Sequence, residues 1–160
     1  MADPLATPTP VTSDDPAAAA RLDRLELAEE ARSLAARYAR ACDSRDLAEL
    51  ESLFAPDAVL ETPHRSLTGR DAVLGFYRGA LRAEVTQRHF LTNQQVEHVA
   101  PGLVRLRSYF LYTSAGDATS VLGWGTYVDD VERRDGGAVV VRKAIEVLSS
   151  NDVRTGWATS

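Results

Sequence analysis

The apolar positions change period once along the chain. Up to about residue 84 they recur at three- and four-residue steps, and beyond it they alternate. Leu27, Ala31, Leu34, Tyr38 and Ala41 keep helical spacing, with Glu29, Glu30, Arg37 and Arg40 set off that stripe. Asp15-Pro16 offers an N-cap followed by proline at the first helical position, and Ala17–Ala20 favours helix by propensity. A long helix is therefore predicted from Pro16 to Cys42, its apolar face ending in the Tyr38 hydroxyl. A second, short helix is predicted over Asp46–Phe54, capped by Asp43 or Ser44 and burying Leu47, Leu50 and Leu53. Ala55-Pro56-Asp57 breaks it. Val59–Thr62 reads as a strand stopped by Pro63. Leu67–Asp71 turns the chain into a third helix, Asp71–Ala83, with Val73, Leu74, Tyr77 and Leu81 apolar.

After Glu84, four β-rich stretches follow: Thr86–Val99, Leu103–Thr113, Ser120–Glu132 and Ala138–Leu148. Pro101-Gly102, Ala115-Gly116-Asp117 and Asp135-Gly136-Gly137 separate them. Tight turns between successive strands imply an antiparallel meander. Helices first and strands later is an α+β plan. A curved sheet folded over the helices would leave a blind pocket between the two layers. Gly123 and Gly125 flank Trp124, and glycine weakens a strand unless a bend or close approach needs it, so the sheet is expected to curl there. Met1–Asp14, rich in proline and small polar residues, cannot build a packed face and is expected to be a disordered tail. One domain is expected over residues 15–150. The pattern fades from Ser149, and residues 151–160 are expected to be a loose end.

The 160 residues suit a single domain with a sizeable core. The net charge of −5, from 18 basic and 23 acidic residues with no basic run, argues against nucleic acid as a partner. The lone Cys42 excludes an internal disulfide and a cysteine zinc site, and a cytoplasmic protein is expected on that ground. Met1–Thr12 has neither the cationic start nor the apolar core of a secretory signal. No apolar run approaches the ~20 residues that span a bilayer, so no membrane is expected as a partner. His64, His89 and His98 have no short pairing and the carboxylates are scattered, so no metal is expected. No nucleophile elbow, phosphate loop or dinucleotide glycine motif is present, and no cofactor is expected.

The candidate chemistry centres on Gln87-Arg88-His89-Phe90-Leu91-Thr92-Asn93. Strand alternation sets His89 on one face with Leu91 and Asn93. A histidine on an apolar pocket face suits a general base; it also suits a half-buried histidine bonded to a carbonyl. Asp43, at a helix C-terminus, faces the negative end of the dipole and invites a cationic or hydrogen-bonding partner. Paired with His89 it would fix the tautomer, as a triad aspartate does; alternatively it caps the next helix. Tyr38 could offer its hydroxyl to a substrate oxygen. Tyr112, Trp124 and Tyr127 are further candidates for the pocket wall, and each is equally readable as core.

The order of short motifs resembles a known family. Tyr38-x4-Asp43 is followed by Leu50-x2-Leu53-Phe54-Ala55-x-Asp57-Ala58, Gly69-Arg70-Asp71-Ala72, Arg88-His89-Phe90-Leu91-Thr92-Asn93 and Glu132-Arg133-Arg134-Asp135-Gly136-Gly137. From about Leu25 to Leu148 this is similar to the SnoaL-like branch of the nuclear-transport-factor-2-like superfold. The resemblance implies a cystatin-like cone, with N-terminal helices packed in the concave face of a strongly curved mixed or antiparallel sheet. In scytalone dehydratase, bile-acid 7α-dehydratase and hexachlorocyclohexane dehydrochlorinase a His–Asp pair performs elimination. His89 and Asp43 match that pair, Tyr38 matches a site-lining position, and Lys143 falls about where the dehydrochlorinase has a site arginine. The second catalytic histidine of scytalone dehydratase is missing from Leu111-Tyr112-Thr113, and so is the acidic residue of the bile-acid enzyme. The resemblance implies a cofactor-independent lyase or isomerase acting on a small hydrophobic ring metabolite, such as a polyketide, steroid or aromatic compound. The competing expectation is a non-catalytic ligand-binding or oligomerisation subunit, since the fold also hosts such members. In either case a homodimer or homotrimer through the sheet face is expected.

Overall fold

A computed structural model of the chain describes residues 15–81, 85–116 and 120–153. The expected N-terminal tail and the chain beyond Val153 lie outside these residues. Helix α1 spans Pro16–Ser44, α2 Leu47–Leu53 and α3 Arg70–Ala80; strands β1 Phe54–Thr62, β2 Arg65–Thr68, β3 Thr86–Ala100, β4 Leu103–Ala115, β5 Ser120–Arg134 and β6 Gly137–Asp152 form one sheet.

Helix α1 begins as expected, with the Asp15 carboxylate accepting from the Ala17 N–H at 2.9 Å and Pro16 in the first turn. It ends two residues later than expected. Arg45, left-handed at φ 59°, closes it by donating its backbone N–H to the Ala41 and Cys42 carbonyls. Asp43 and Ser44 therefore lie inside the last turn of α1 and do not cap α2. Asp46 does so, its carboxylate accepting from the Glu49 N–H at 2.9 Å. Asp43 is left facing the sheet.

The sheet order is β2-β1-β6-β5-β4-β3. The last four strands form the expected antiparallel meander, while β1 runs parallel to β6, so the sheet is mixed and open. Several strand assignments differ from expectation. Strand β1 already starts at Phe54, because Pro56 falls where its ladder with β6 is interrupted, between Phe54 and Val59, and no N–H is needed there. Arg65–Thr68, of which Leu67 and Thr68 were expected to belong to the turn before the third helix, pairs with β1 as an edge strand. Strand β6 also continues past Ser149 to Asp152, paired with β5 up to Val121.

Bulges bend the sheet. One interrupts β3 against β4 between Thr92 and Gln95, where Asn93 is left-handed at φ 52°. The half-buried positions of β3 are Gln87, His89 and Leu91 before it, and Gln94, Val96 and His98 after it. Asn93 thus leaves the face of His89, contrary to the simple alternation. A second bulge falls between Trp124 and Gly125, within the expected Gly123–Gly125 curl. A Cβ on Gly125 would stand 1.9 Å from the Glu146 carbonyl oxygen, so the close approach of β5 and β6 requires glycine.

One continuous core joins the layers. Leu27, Ala31, Leu34 and Tyr38 of α1 meet Leu50 and Leu53 of α2, Tyr77 of α3, and Leu106, Phe110, Tyr127 and Val140 of the strands. Helix α1 lies chiefly along β3. Arg133, at the end of β5, pairs with Asp23 and Glu30 and ties the helix to that strand end.

Candidate active site

The C-terminal turn of α1 is pinned to the start of β3 by a group of hydrogen bonds. Gln87 donates its side-chain amide to the Cys42 carbonyl at 2.6 Å, and the Arg45 guanidinium donates to the Val85 carbonyl. Two residues beyond Gln87 on β3, His89 donates its backbone N–H to Asp43 Oδ2 at 3.2 Å, and its Nδ1 lies 2.7 Å from Asp43 Oδ1. A carboxylate only accepts, so Nδ1 carries the hydrogen, and in the neutral imidazole Nε2 keeps its lone pair. The side chains of His89 and Asp43 are 14% and 13% exposed, which sets the pair at a rim that water reaches, not in the dry interior. The arrangement can take a proton at Nε2 while the carboxylate stabilises the resulting imidazolium.

Tyr112 is the cross-strand partner of His89, and the two rings stack with centroids 5.9 Å apart and planes at 24°. The phenol then crosses β5. A Cβ on Gly123 would stand only 2.3 Å from Tyr112 Cε1, so glycine is what lets the ring lie there. The Tyr112 hydroxyl reaches β6 and lies 2.7 Å from Ser150 Oγ. Sequence reasoning missed Gln87 and Ser150. Ser150 sat where the strand pattern was expected to have faded, and Gln87 stood first in the histidine stretch without any pattern that marks an amide as a brace.

Tyr38 and Lys143 come together deeper in the cone, away from the rim. Lys143 is 2% exposed; its Nζ lies 2.9 and 3.2 Å from the two Asp129 oxygens and 3.9 Å from the ring centroids of both Tyr38 and Tyr127. The ammonium is thus held by its own chain. Burial raises the Asp129 carboxyl above its ordinary range, and the Lys143 charge opposes that shift. The Tyr38 hydroxyl accepts from the Tyr77 hydroxyl at 3.2 Å, and burial, with Cys42 next in weight, pushes the Tyr38 phenol well above its ordinary value. The void beside these groups, lined also by Ala31, Leu53 and Val140, measures about 10 Å³. That is room for roughly one water. The blind pocket expected between the layers is therefore largely filled here by the chain's own side chains.

Trp124 does not join the pair. Gly123 and Gly125 sit under Tyr112 and Phe110 on the inner face, so alternation sends the intervening indole to the outer face, where it is 39% exposed. Among the described residues no three metal-ligating side chains converge, and no helix is long and apolar enough to cross a membrane.

A helix-lined open cone with a histidine–aspartate pair at its rim defines the class. The chain matches the SnoaL-like domain over residues 23–143 and belongs to that family. No significant match is found among curated protein sequences. Solved structures share its fold at low identity. A hexachlorocyclohexane dehydrochlorinase, LinA type 2, superposes with a TM-score of 0.77 at 21% identity, over 88% of this chain and 97% of that one. A scytalone-dehydratase-like protein of Novosphingobium aromaticivorans DSM 12444 gives 0.74 at 20%, over 86% and 92%. A cystatin-like-fold protein of unknown function from Nostoc punctiforme PCC 73102 gives 0.64 at 22%, over 74% and 88%.

Proposed function

We propose that the protein is a cofactor-independent lyase or isomerase in which His89 removes a proton from carbon and Asp43 orients the imidazole. The observation that carries this reading is the 2.7 Å contact between His89 Nδ1 and Asp43 Oδ1, supported by further bonds between the end of α1 and the start of β3. The names of two of the similar structures, a dehydrochlorinase and a dehydratase, describe eliminations, which begin with loss of such a proton. The substrate class that suits the site is a small, mostly apolar ring compound, since Tyr112 offers an aromatic face beside the base. The reading is tested with 5-nitrobenzisoxazole, an activated carbon acid. Removal of its ring C–H proton breaks the N–O bond and releases a coloured cyanophenolate. Turnover by the wild type that disappears in His89→Ala supports the reading; a wild-type rate no greater than that of imidazole in solution overturns it.

A second copy of the chain is proposed as the partner. Phe90, Leu111 and Trp124 are register neighbours on β3, β4 and β5, and they are 50%, 38% and 39% exposed on the outer face, with Tyr109 at 56% beside them. Arg107 on β4 and Glu146 on β6 line one hollow beside Tyr109, on either side of β5. A two-fold axis through the row would set each arginine of one copy against the glutamate of the other. Light scattering after size exclusion tests it: Trp124→Lys should reduce the wild-type oligomer to a monomer, and a monomeric wild type would refute the proposal.

A further inference from the structure

We infer that the hollow between the first turns of α1 and the β3–β4 turn binds a small amphiphile, one carboxylate on an apolar body, at Arg21, Arg24 and His98. The place is separate from the His89–Asp43 pair. Arg24 and Asp43 stand towards opposite ends of α1, on the order of 30 Å apart at about 1.5 Å per residue. The buried face of α1 begins only at Leu27. The turns before it stand clear of the core, and Ala17 and Ala20 are too small to close the gap to the end of β3. Two adjoining hollows of about 420 and 590 Å³ result, and Ala20, Arg24 and His98 line both.

The charges there are one-sided. Arg21 and Arg24 are like charges three positions apart, and neither has an acidic residue three or four positions away on the helix. Arg32, further along, does pair with Glu29. Among the described residues no ion pair or side-chain hydrogen bond occupies Arg21, Arg24 or His98. Asp23 is the one carboxylate that lines the hollows among those residues, and Arg133 holds it. In a chain with 23 acidic and 18 basic residues, two arginines without a counter-charge are a local surplus that an anion relieves. The floor sets the rest of the ligand. Leu27 closes it, and Leu25 and Val99 are 61% and 46% exposed beside it. Covering that surface favours an apolar body attached to the anion. A bare anion would meet only the arginines, and a neutral molecule only the floor.

The test titrates the full chain with octanoate, octanamide and acetate at low ionic strength, followed by the His98 ring signals in NMR. Octanamide keeps the apolar body without the charge, and acetate keeps the charge without the body. Octanoate should shift the His98 signals and bind roughly tenfold tighter than octanamide, about threefold for each exposed arginine. Acetate should shift nothing at concentrations that saturate with octanoate. Arg21→Gln and Arg24→Gln, both on an exposed helix face, should each weaken octanoate about threefold, and together they should bring the two octyl probes close to equal. Added salt should narrow the same ratio in the wild type. His89→Ala should leave octanoate binding unchanged, which separates this site from the proposed base. Octanoate that leaves the His98 signals in place, binds no tighter than octanamide or acetate, or keeps its advantage in the double variant overturns the inference.

Discussion

Asp43 receives two hydrogen bonds from one residue: His89 offers its ring Nδ1 at 2.7 Å to one carboxylate oxygen and its backbone N–H at 3.2 Å to the other. The backbone bond fixes the carboxylate independently of the imidazole, so the pair is held before any ligand arrives. Asp43→Asn keeps an oxygen for the backbone N–H but can turn its amide toward Nδ1 and move the ring hydrogen to Nε2. Turnover of the benzisoxazole probe should then fall by about 10² to 10⁴, with the folded baseline unchanged by circular dichroism. A rate within a factor of about two of wild type would show that the tautomer does not matter.

The brace predicts a milder effect. Gln87→Leu removes the bond to the Cys42 carbonyl while leaving His89 and Asp43 in place. Turnover should drop by roughly tenfold, with most of the loss in kcat, because a small displacement of the base acts on the transition state more than on ground-state binding. Asp46→Ala serves as the comparison. It removes the α2 cap, costs about 1 kcal/mol of stability by urea denaturation, and should leave the probe rate near wild type. Equal loss of turnover in the two variants would make Gln87 an ordinary structural residue.

The extent to which this was legible in the chain follows from what each feature depends on. The switch from three- and four-residue steps to alternation after Glu84 depends on local periodicity alone, and the α-then-meander plan followed from it. Arg65–Thr68 carries one apolar residue in four, too little to mark a strand whose existence depends on pairing with β1. Asn93 could not be read as a bulge because Thr92 to Gln95 are all polar, so no apolar face was seen to switch sides. Asp43 and His89 lie 46 positions apart; the helix-end carboxylate suggested that Asp43 needs a partner, and the family's motif order added weight to His89 as that partner. Trp124 was readable as outward-facing only once its flanking glycines were known to lie beneath Tyr112 and Phe110. The depth of Lys143 was hidden for a similar reason, since its counter-charge sits on the neighbouring strand and its aromatic neighbours on α1 and β5.

That buried ion pair makes its own prediction. Lys143→Met leaves the Asp129 carboxylate in the core without its counter-charge and should cost about 3–5 kcal/mol by urea denaturation. Adding Asp129→Leu should recover most of that loss, since well-packed apolar side chains often replace such a pair without penalty. A single variant of unchanged stability but impaired probe turnover would instead assign Lys143 to ligand binding.

Gly123 tests the packing under Tyr112 directly. An added methyl would meet Tyr112 Cε1 at 2.3 Å and the Ser149 carbonyl at 3.0 Å, so the ring must move. Gly123→Ala is expected to cost about 1–3 kcal/mol and to separate the Tyr112 and Ser150 hydroxyls. Gly123→Ala combined with Tyr112→Ala should be less destabilising than the sum of the two, because the collision is gone; strict additivity would mean that the ring does not lie where the structure puts it.

The polar core beneath the rim gives the protein a defined response to alkali. Burial, with the Tyr38 hydrogen bond and Lys143 opposing it, raises the Cys42 thiol from about 9 to about 11. Burial also raises the Tyr38, Tyr77 and Tyr127 phenols above their ordinary value, with Cys42 the next contributor to each. In every case the folded state keeps a proton that the unfolded chain gives up at lower pH. The stabilisation is therefore complete below the unfolded values and is lost as pH rises through the folded ones. Thermal stability should fall steeply between about pH 9 and pH 11, with Cys42 alone contributing roughly 2–3 kcal/mol across that window. Cys42→Ala should lower stability at neutral pH by a modest packing term and flatten the early part of the alkaline decline. The later part, set by the tyrosines, should remain. An alkaline profile of unchanged slope in that variant would mean that the thiol does not take part, and would shift the whole effect to the three phenols.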